Sequence, residues 1–126
     1  MIIADYQERV YDVANPCWHL VADVLVTERG LDLSAALGFH TISNDIRQVA
    51  EAFRLVLHKS PLGFDRVSDP VDYAVVLMGK TPKVGIHHCG IYYDGKVLHA
   101  LQEGTLYQDE SSLQDTYAVY QYWAKP

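Results

Sequence analysis

Residues 88–100 read HCGIYYDGKVLHA, and this stretch decides the architecture of the second half of the chain. Two apolar runs flank Asp94-Gly95, and this dipeptide is the strongest short-range signal for a β-hairpin. If the dipeptide forms a two-residue loop, Gly90 lies directly opposite His99. The stretch therefore predicts a pair of antiparallel strands with a defined register.

The register assigns side chains to the two faces of this hairpin. Alternation along a strand places His88 and Gly90 on one face, together with His99 from the other strand. His88 and His99 are then diagonal neighbours about 7–8 Å apart at the backbone, and Gly90 leaves space for the rings to meet. Cys89 falls on the opposite face, so we expect it neither to join a site with His88 nor to bridge to Cys17.

Helical signals come earlier in the chain. Asn15 is a good N-cap, Pro16 suits the first helical position, and Gly30 suits the position after the last turn, which predicts a helix over 16–29. Three further elements are expected: a helix over about 43–58, a strand over 73–78 and a late strand over 116–124. Helices followed by an antiparallel sheet indicate a single α+β domain over residues 1–126.

Composition excludes several classes of function. The formal net charge is −6 and no basic cluster is present, so nucleic acid is not an expected partner. No apolar run approaches the roughly 20 residues of a membrane span, and the first residues lack the pattern of a secretory signal. We therefore expect a protein made in the cytoplasm, with no membrane partner and with both cysteines reduced.

Cys17 is the first candidate for chemistry, because it would be the second residue of the predicted helix. Free backbone N–H groups and the positive end of the helix dipole favour the thiolate there, and the thiolate is the nucleophile. The same N–H groups can stabilise an oxyanion during acyl transfer. The alternative is a small buried apolar residue, the commoner role of a free cysteine.

A nucleophilic cysteine needs a histidine as base, and the base needs a group that orients it. The hairpin suits His88 to address Cys17 through one ring nitrogen while His99 holds the other. Two half-buried histidines with a purely structural role are the alternative. One of Tyr6 or Tyr11 is a further candidate to hydrogen-bond the thiolate.

The remaining histidines are assigned no chemistry; they are His19, His40, His58 and His87. The sequence HHC at 87–89 invites a metal site, but His87 and His88 point apart on a regular strand and no second pair has zinc spacing. We therefore expect no metal and no cofactor.

Two segments, CWHLVADVL at 17–25 and HCGIYYDGKVLHA at 88–100, resemble the NlpC-type cell-wall cysteine peptidases, which are compact papain-like hydrolases. The likeness is greatest to the phage and prophage branch, in which Cys-Trp opens the helix. The resemblance implies a papain-like fold with N-terminal helices packed on a small antiparallel sheet. It also implies Cys17 as nucleophile, His88 as base and His99 as the third polar residue.

The resemblance further implies hydrolysis of amide bonds in the stem peptides of peptidoglycan, association with phage tail proteins, and delivery to the periplasm or cell wall. Departures from the family pattern are Pro16, Trp18 and His19, which alter the expected substrate cleft. They motivate one alternative, a catalytically silent structural protein of a phage tail. A secreted antibacterial amidase or an acyltransferase would also be compatible with the same fold.

Overall fold

The computed structural model describes residues 1–11, 16–32 and 63–125. The helices are α1 (Ile3–Gln7), α2 (Pro16–Arg29) and α3 (Glu110–Thr116). The strands are β1 (Asp65–Val67), β2 (Val75–Gly79), β3 (His88–Tyr93), β4 (Lys96–Leu101), β5 (Gly104–Asp109) and β6 (Val119–Ala124). The predicted helix over 43–58 and the predicted cap Asn15 lie outside the described residues.

The six strands form one sheet in the order β1-β6-β2-β3-β4-β5, and every neighbouring pair is antiparallel. Helix α2 packs on β3 and β4 near the middle of this sheet. The predicted α+β class is therefore confirmed as an N-terminal helix packed on an antiparallel sheet. None of the helices in the described ranges is long and apolar enough to span a membrane.

Helix α2 has the predicted bounds. It begins at Pro16, and Gly30 follows its last residue with a φ of 66°, the left-handed conformation that glycine adopts without strain. The N–H of Gly30 donates to Val26 O at 3.1 Å and the N–H of Leu31 to Leu25 O at 3.0 Å. These bonds satisfy carbonyls that the end of a helix otherwise leaves without donors.

The hairpin of β3 and β4 also has the predicted register, with Tyr93 opposite Lys96 and Ile91 opposite Leu98. Asp94 has a φ of 48° and Gly95 a φ of 86°. Positive φ at both central residues defines the type I′ turn, whose twist matches that of the two strands. This turn fixes which side chains of β3 and β4 share a face.

The two faces of the sheet bury different clusters. On the α2 face, the helix residues Leu20, Val24 and Leu25 pack with Ile91 and Leu98 of the hairpin. The other face holds a second cluster formed by Val76, Met78, Val97, Leu113 and Tyr117. The candidate active-site residues lie at the start of β3, between these two buried clusters.

Four described elements were not predicted from the sequence: α1, β1, β5 and α3. Strand β2 is also offset from its predicted range of 73–78, because Tyr73 adopts a positive φ of 70° and its N–H donates to Tyr92 O at 2.8 Å. The late strand is shorter than predicted and begins at Val119 rather than at residue 116.

Candidate active site around Cys17

Cys17 is the second residue of α2, as predicted, and its side chain is only 6% exposed. It lies over the start of β3, where its sulfur interacts with both Cys89 and His88. The hydrogen bond from the Cys89 side chain is the largest cause that holds the pKa of Cys17 well below its usual value. Burial opposes this effect, and the hydrogen bond and charge of His88 add to it. The site therefore favours the thiolate of Cys17.

Cys89 has the opposite acid–base character. Burial raises the pKa of the Cys89 thiol well above its usual value, and the neighbouring Cys17 raises it further. Cys89 therefore keeps its proton and donates it in a hydrogen bond to the Cys17 sulfur. Both cysteines are free thiols in this structure, as the sequence predicts.

The expectation that Cys89 takes no part in the site was wrong, because Cys89 lowers the pKa of Cys17, although no disulfide joins the two residues. The assignment of Cys89 and His88 to opposite faces of β3 holds, since Cys89 packs in the α2 cluster while His88 stacks on Tyr117 of the other cluster. The error lay in the assumption that α2 covers the face of the histidines. Helix α2 covers the face of Cys89, so its N-terminal cysteine meets both residues at the beginning of the strand.

His88 and His99 form the predicted pair. The Nε2 atom of His88 lies 2.8 Å from Nδ1 of His99, and the two rings meet edge to face with centroids 5.0 Å apart. Both side chains are buried, with 6% and 2% exposed. Since Nε2 of His88 is taken by His99, Nδ1 is the atom left to face the Cys17 sulfur.

Gln108 extends the His88–His99 pair into a chain of hydrogen bonds with three residues. Its Oε1 lies 2.5 Å from Nε2 of His99. A carbonyl oxygen can only accept, so Nε2 of His99 carries the proton, Nδ1 of the neutral ring accepts, and Nε2 of His88 donates to it. Burial lowers the pKa of His99 to about 4, which keeps that ring neutral at pH 7. The chain thereby leaves Nδ1 of His88 as the ring nitrogen available to exchange a proton with Cys17.

Two further features hold the histidine pair in place. The ring of Tyr117 stacks on His88 with centroids 5.5 Å apart and planes inclined by 19°. Gly90 provides the predicted space: a Cβ there would lie 2.7 Å from Val97 Cγ1 and 3.1 Å from Cβ of His99. Any side chain at position 90 would displace the neighbouring residues of β4, including His99.

Gln108 and Tyr117 were not identified from the sequence. Gln108 lies on β5, directly opposite Val97 and diagonal to His99, so its role depends on a strand that the pattern did not predict. Tyr117 lies in the range of the predicted late strand, where no role in the site was assigned to it. Alternation outward from His99 finds Gln108 once β5 is paired with β4.

The expectation for Tyr6 and Tyr11 was wrong in the structure described. The Tyr6 hydroxyl donates to Glu28 at 3.0 Å and the Tyr11 hydroxyl donates to Asp23 at 2.8 Å. Both carboxylates lie on α2, so these tyrosines fasten the N-terminal segment to that helix. A hydroxyl has one proton to donate, and in both residues it is directed away from Cys17.

Of the other histidines, His87 lies next to the site without joining the chain of hydrogen bonds. Its Nε2 accepts from the Lys80 N–H at 3.1 Å. His40 and His58 lie outside the described residues. Within residues 1–11, 16–32 and 63–125, no group of three or more His, Cys, Asp or Glu side chains could hold a metal ion.

No family model, no curated protein and no solved structure matches this chain.

Proposed function

We propose that this protein is a cysteine hydrolase of amide bonds with Cys17 as its nucleophile, His88 as its base and His99 as the residue that orients the base. The observation that carries the proposal is the buried pair of His88 and His99, whose ring nitrogens lie 2.8 Å apart, together with the lowering of the pKa of Cys17 by His88. A nucleophile, a base and an orienting group in that sequence form the general arrangement of nucleophilic acyl transfer.

Activation begins with the proton of Cys17. Nδ1 of His88 accepts it, and the resulting thiolate is stabilised by the Cys89 S–H and by the positive end of the α2 dipole. His99 accepts a hydrogen bond from Nε2 of His88 and prevents the ring from turning away. Gln108 fixes the tautomer of His99 through the bond to Nε2.

Acylation and release follow from this arrangement. The thiolate attacks the amide carbonyl, and the backbone N–H groups of the first turn of α2, that of Cys17 among them, are positioned to receive the oxyanion. His88 then donates its proton to the leaving amine. Water deprotonated by His88 releases the acyl group from Cys17, so that these side chains carry every step.

The substrate class rests on the resemblance of residues 17–25 and 88–100 to the NlpC-type peptidases. It points to stem peptides of peptidoglycan as substrate, to a papain-like fold and to association with a phage or prophage tail. The observed order of a helix-start cysteine, a histidine strand and a returning strand is in keeping with that fold.

The proposal is tested with purified protein and soluble muropeptides, by following new amino and carboxyl termini with mass spectrometry. Wild-type protein is expected to cleave, and Cys17→Ala and His88→Ala are expected to lose cleavage. Val26→Ala, which replaces an exposed residue of α2, is the control and should cleave as the wild type does. Equal cleavage by Cys17→Ala and wild type would refute the proposal.

A structural protein with the same fold is a second candidate, and the low exposure of Cys17 favours it. A silent site predicts that Cys17 reacts with iodoacetamide no faster than an ordinary thiol at neutral pH. A hydrolase predicts faster alkylation of Cys17 in the native protein and slower alkylation in His88→Ala, because the base is then missing.

A further inference from the structure

The hydrolase mechanism uses Cys89 only as a hydrogen-bond donor and makes no use of its own reactivity as a second thiol beside Cys17. Cys17 and Cys89 are the two cysteines of the chain, and both belong to the buried cluster beneath α2. Their side chains are close enough that Cys89 lowers the pKa of Cys17 and Cys17 raises that of Cys89. A nucleophilic cysteine does not need a thiol as its hydrogen-bond donor, because a hydroxyl or a backbone N–H would serve.

The two thiols differ in access as well as in acidity. Cys17 retains 6% exposure at the N-terminal end of α2, whereas Cys89 is fully enclosed, with 0% exposed. A small oxidant is therefore expected to reach Cys17 before Cys89. This division matches that between a peroxide-reactive cysteine and the resolving cysteine next to it.

We propose that Cys17 and Cys89 form a redox modification site, in which hydrogen peroxide oxidises Cys17 and Cys89 then closes a reversible disulfide with it. The placement of the two cysteines in one buried cluster, at the start of α2 and the start of β3, carries this proposal. The consequence for activity rests on the proposed function, since a disulfide would remove the nucleophile of the hydrolase.

The chemistry balances in two steps. The Cys17 thiolate attacks one oxygen of hydrogen peroxide, the O–O bond breaks, and the departing hydroxide takes a proton to become water. The Cys89 sulfur then attacks the sulfenic acid of Cys17, the S–O bond breaks, and water leaves with the proton of Cys89. A small dithiol reverses the reaction by thiol–disulfide exchange and is itself oxidised to a disulfide.

The position of the pair explains what the disulfide would do. It would join the start of α2 to β3, two elements that already pack together. The bond would also spare Cys17 from irreversible oxidation to sulfinic acid, because the sulfenic acid is consumed as it forms.

The test treats the full chain with hydrogen peroxide, blocks remaining thiols under denaturing conditions and maps the products by mass spectrometry. Wild type is expected to lose two hydrogen masses and to yield a peptide pair joined through Cys17 and Cys89. Dithiothreitol should restore both thiols. Cys89→Ala is expected to accumulate sulfenic acid at Cys17, which dimedone traps, and then sulfinic acid.

Three results would overturn the proposal: sulfinic acid at Cys17 forming as fast in wild type as in Cys89→Ala, disulfides between chains in place of the internal one, or no oxidation of either cysteine. Circular dichroism of Cys89→Ala checks that the variant is folded, and disulfide mapping in wild type does not depend on any variant.

The readout also separates the redox site from the proposed hydrolase. A Cys17–Cys89 disulfide in a protein that cleaves no muropeptide would refute the hydrolase and leave the redox site standing. Cleavage without disulfide formation would refute the redox site and leave the hydrolase standing. If both hold, peroxide should abolish cleavage by wild type and dithiothreitol should restore it.

Discussion

The two faces of β3 differ in their side chains and contacts, although consecutive residues of the strand lie on opposite faces. The face that carries Cys89 and Ile91 is apolar and packs under α2. The face that carries His88 is polar at its start, where His88, His99 and Gln108 are linked by hydrogen bonds. The apolar face sets where Cys17 lies, and the polar face sets what Cys17 can do.

This difference shows that one face of a strand can fix the position of a nucleophile while the other face carries the groups that make it reactive. Substitutions on the α2 face should act on stability, and substitutions in the histidine chain should act on chemistry. Variants of the two faces therefore test whether stability and chemistry depend on separate sets of residues.

The largest effect is expected on the polar face. His88→Ala removes the base, and general-base catalysis typically contributes about 10²–10⁴-fold, so kcat/KM for muropeptide cleavage should fall by about that factor. Steady-state kinetics of the purified variant measures the loss, with Val26→Ala as the control. A loss of less than about threefold would show that His88 is not the base.

On the apolar face, Leu20→Ala should act on stability alone. Leu20 lies on α2 and is fully buried against the sheet, and truncation of a buried leucine costs about 2–5 kcal/mol of unfolding free energy. Urea denaturation measures this cost. Val26→Ala, on the exposed side of the same helix, should change stability by less than about 0.5 kcal/mol. A large fall of kcat in folded Leu20→Ala would contradict the separation of the two faces.

A pH dependence of stability should come from His99. Burial lowers its pKa from 6.5 to about 4, so the unfolded chain binds a proton more readily than the native protein. The contribution of His99 to the free energy of unfolding is therefore greatest above about pH 6.5. It falls by about 3 kcal/mol in total as the pH is lowered to about 4, because the unfolded chain takes up the proton first.

Urea denaturation across that range compares wild type with His99→Gln, which cannot titrate. The wild type should lose stability more steeply on acidification, and parallel curves would mean that the native protein binds the proton at His99 as readily as the unfolded chain.

The smallest effect is expected at Gln108. Gln108→Leu leaves Nε2 of His99 without an acceptor, a loss of about 1.4 kcal/mol or roughly tenfold in kcat, with little change in KM. Gln108→Glu keeps an oxygen in place and should retain more activity than the leucine variant. An unchanged kcat in Gln108→Leu would remove Gln108 from the chain that orients the base.

Much of this arrangement could be predicted from local sequence signals. Asp94-Gly95 specified the hairpin, and Pro16 and Gly30 specified the bounds of α2, because turns and helix ends depend on the residues that form them. The pairing of His88 with His99 followed from the hairpin register. These features need no knowledge of the rest of the fold.

What the sequence did not predict depends on tertiary contacts. Cys89 was assigned no role because alternation defines two faces without saying which face a helix will cover. Strand β5 has exposed and half-buried residues in place of an apolar run, so Gln108 had no predicted neighbours. The contact of Cys17 with both faces of β3 arises only because the helix begins over the first residues of that strand.

The pH profile of Cys17 alkylation tests the central claim most directly. The rate of modification by iodoacetamide is measured at Cys17 by peptide mass spectrometry in wild type, His88→Ala and Cys89→Ala. We predict that the wild-type rate inflects well below the value of about 8.5 of an ordinary thiol, and that both variants inflect at higher pH. An inflection at the ordinary value in wild type, or one that His88→Ala leaves unchanged, would contradict the account.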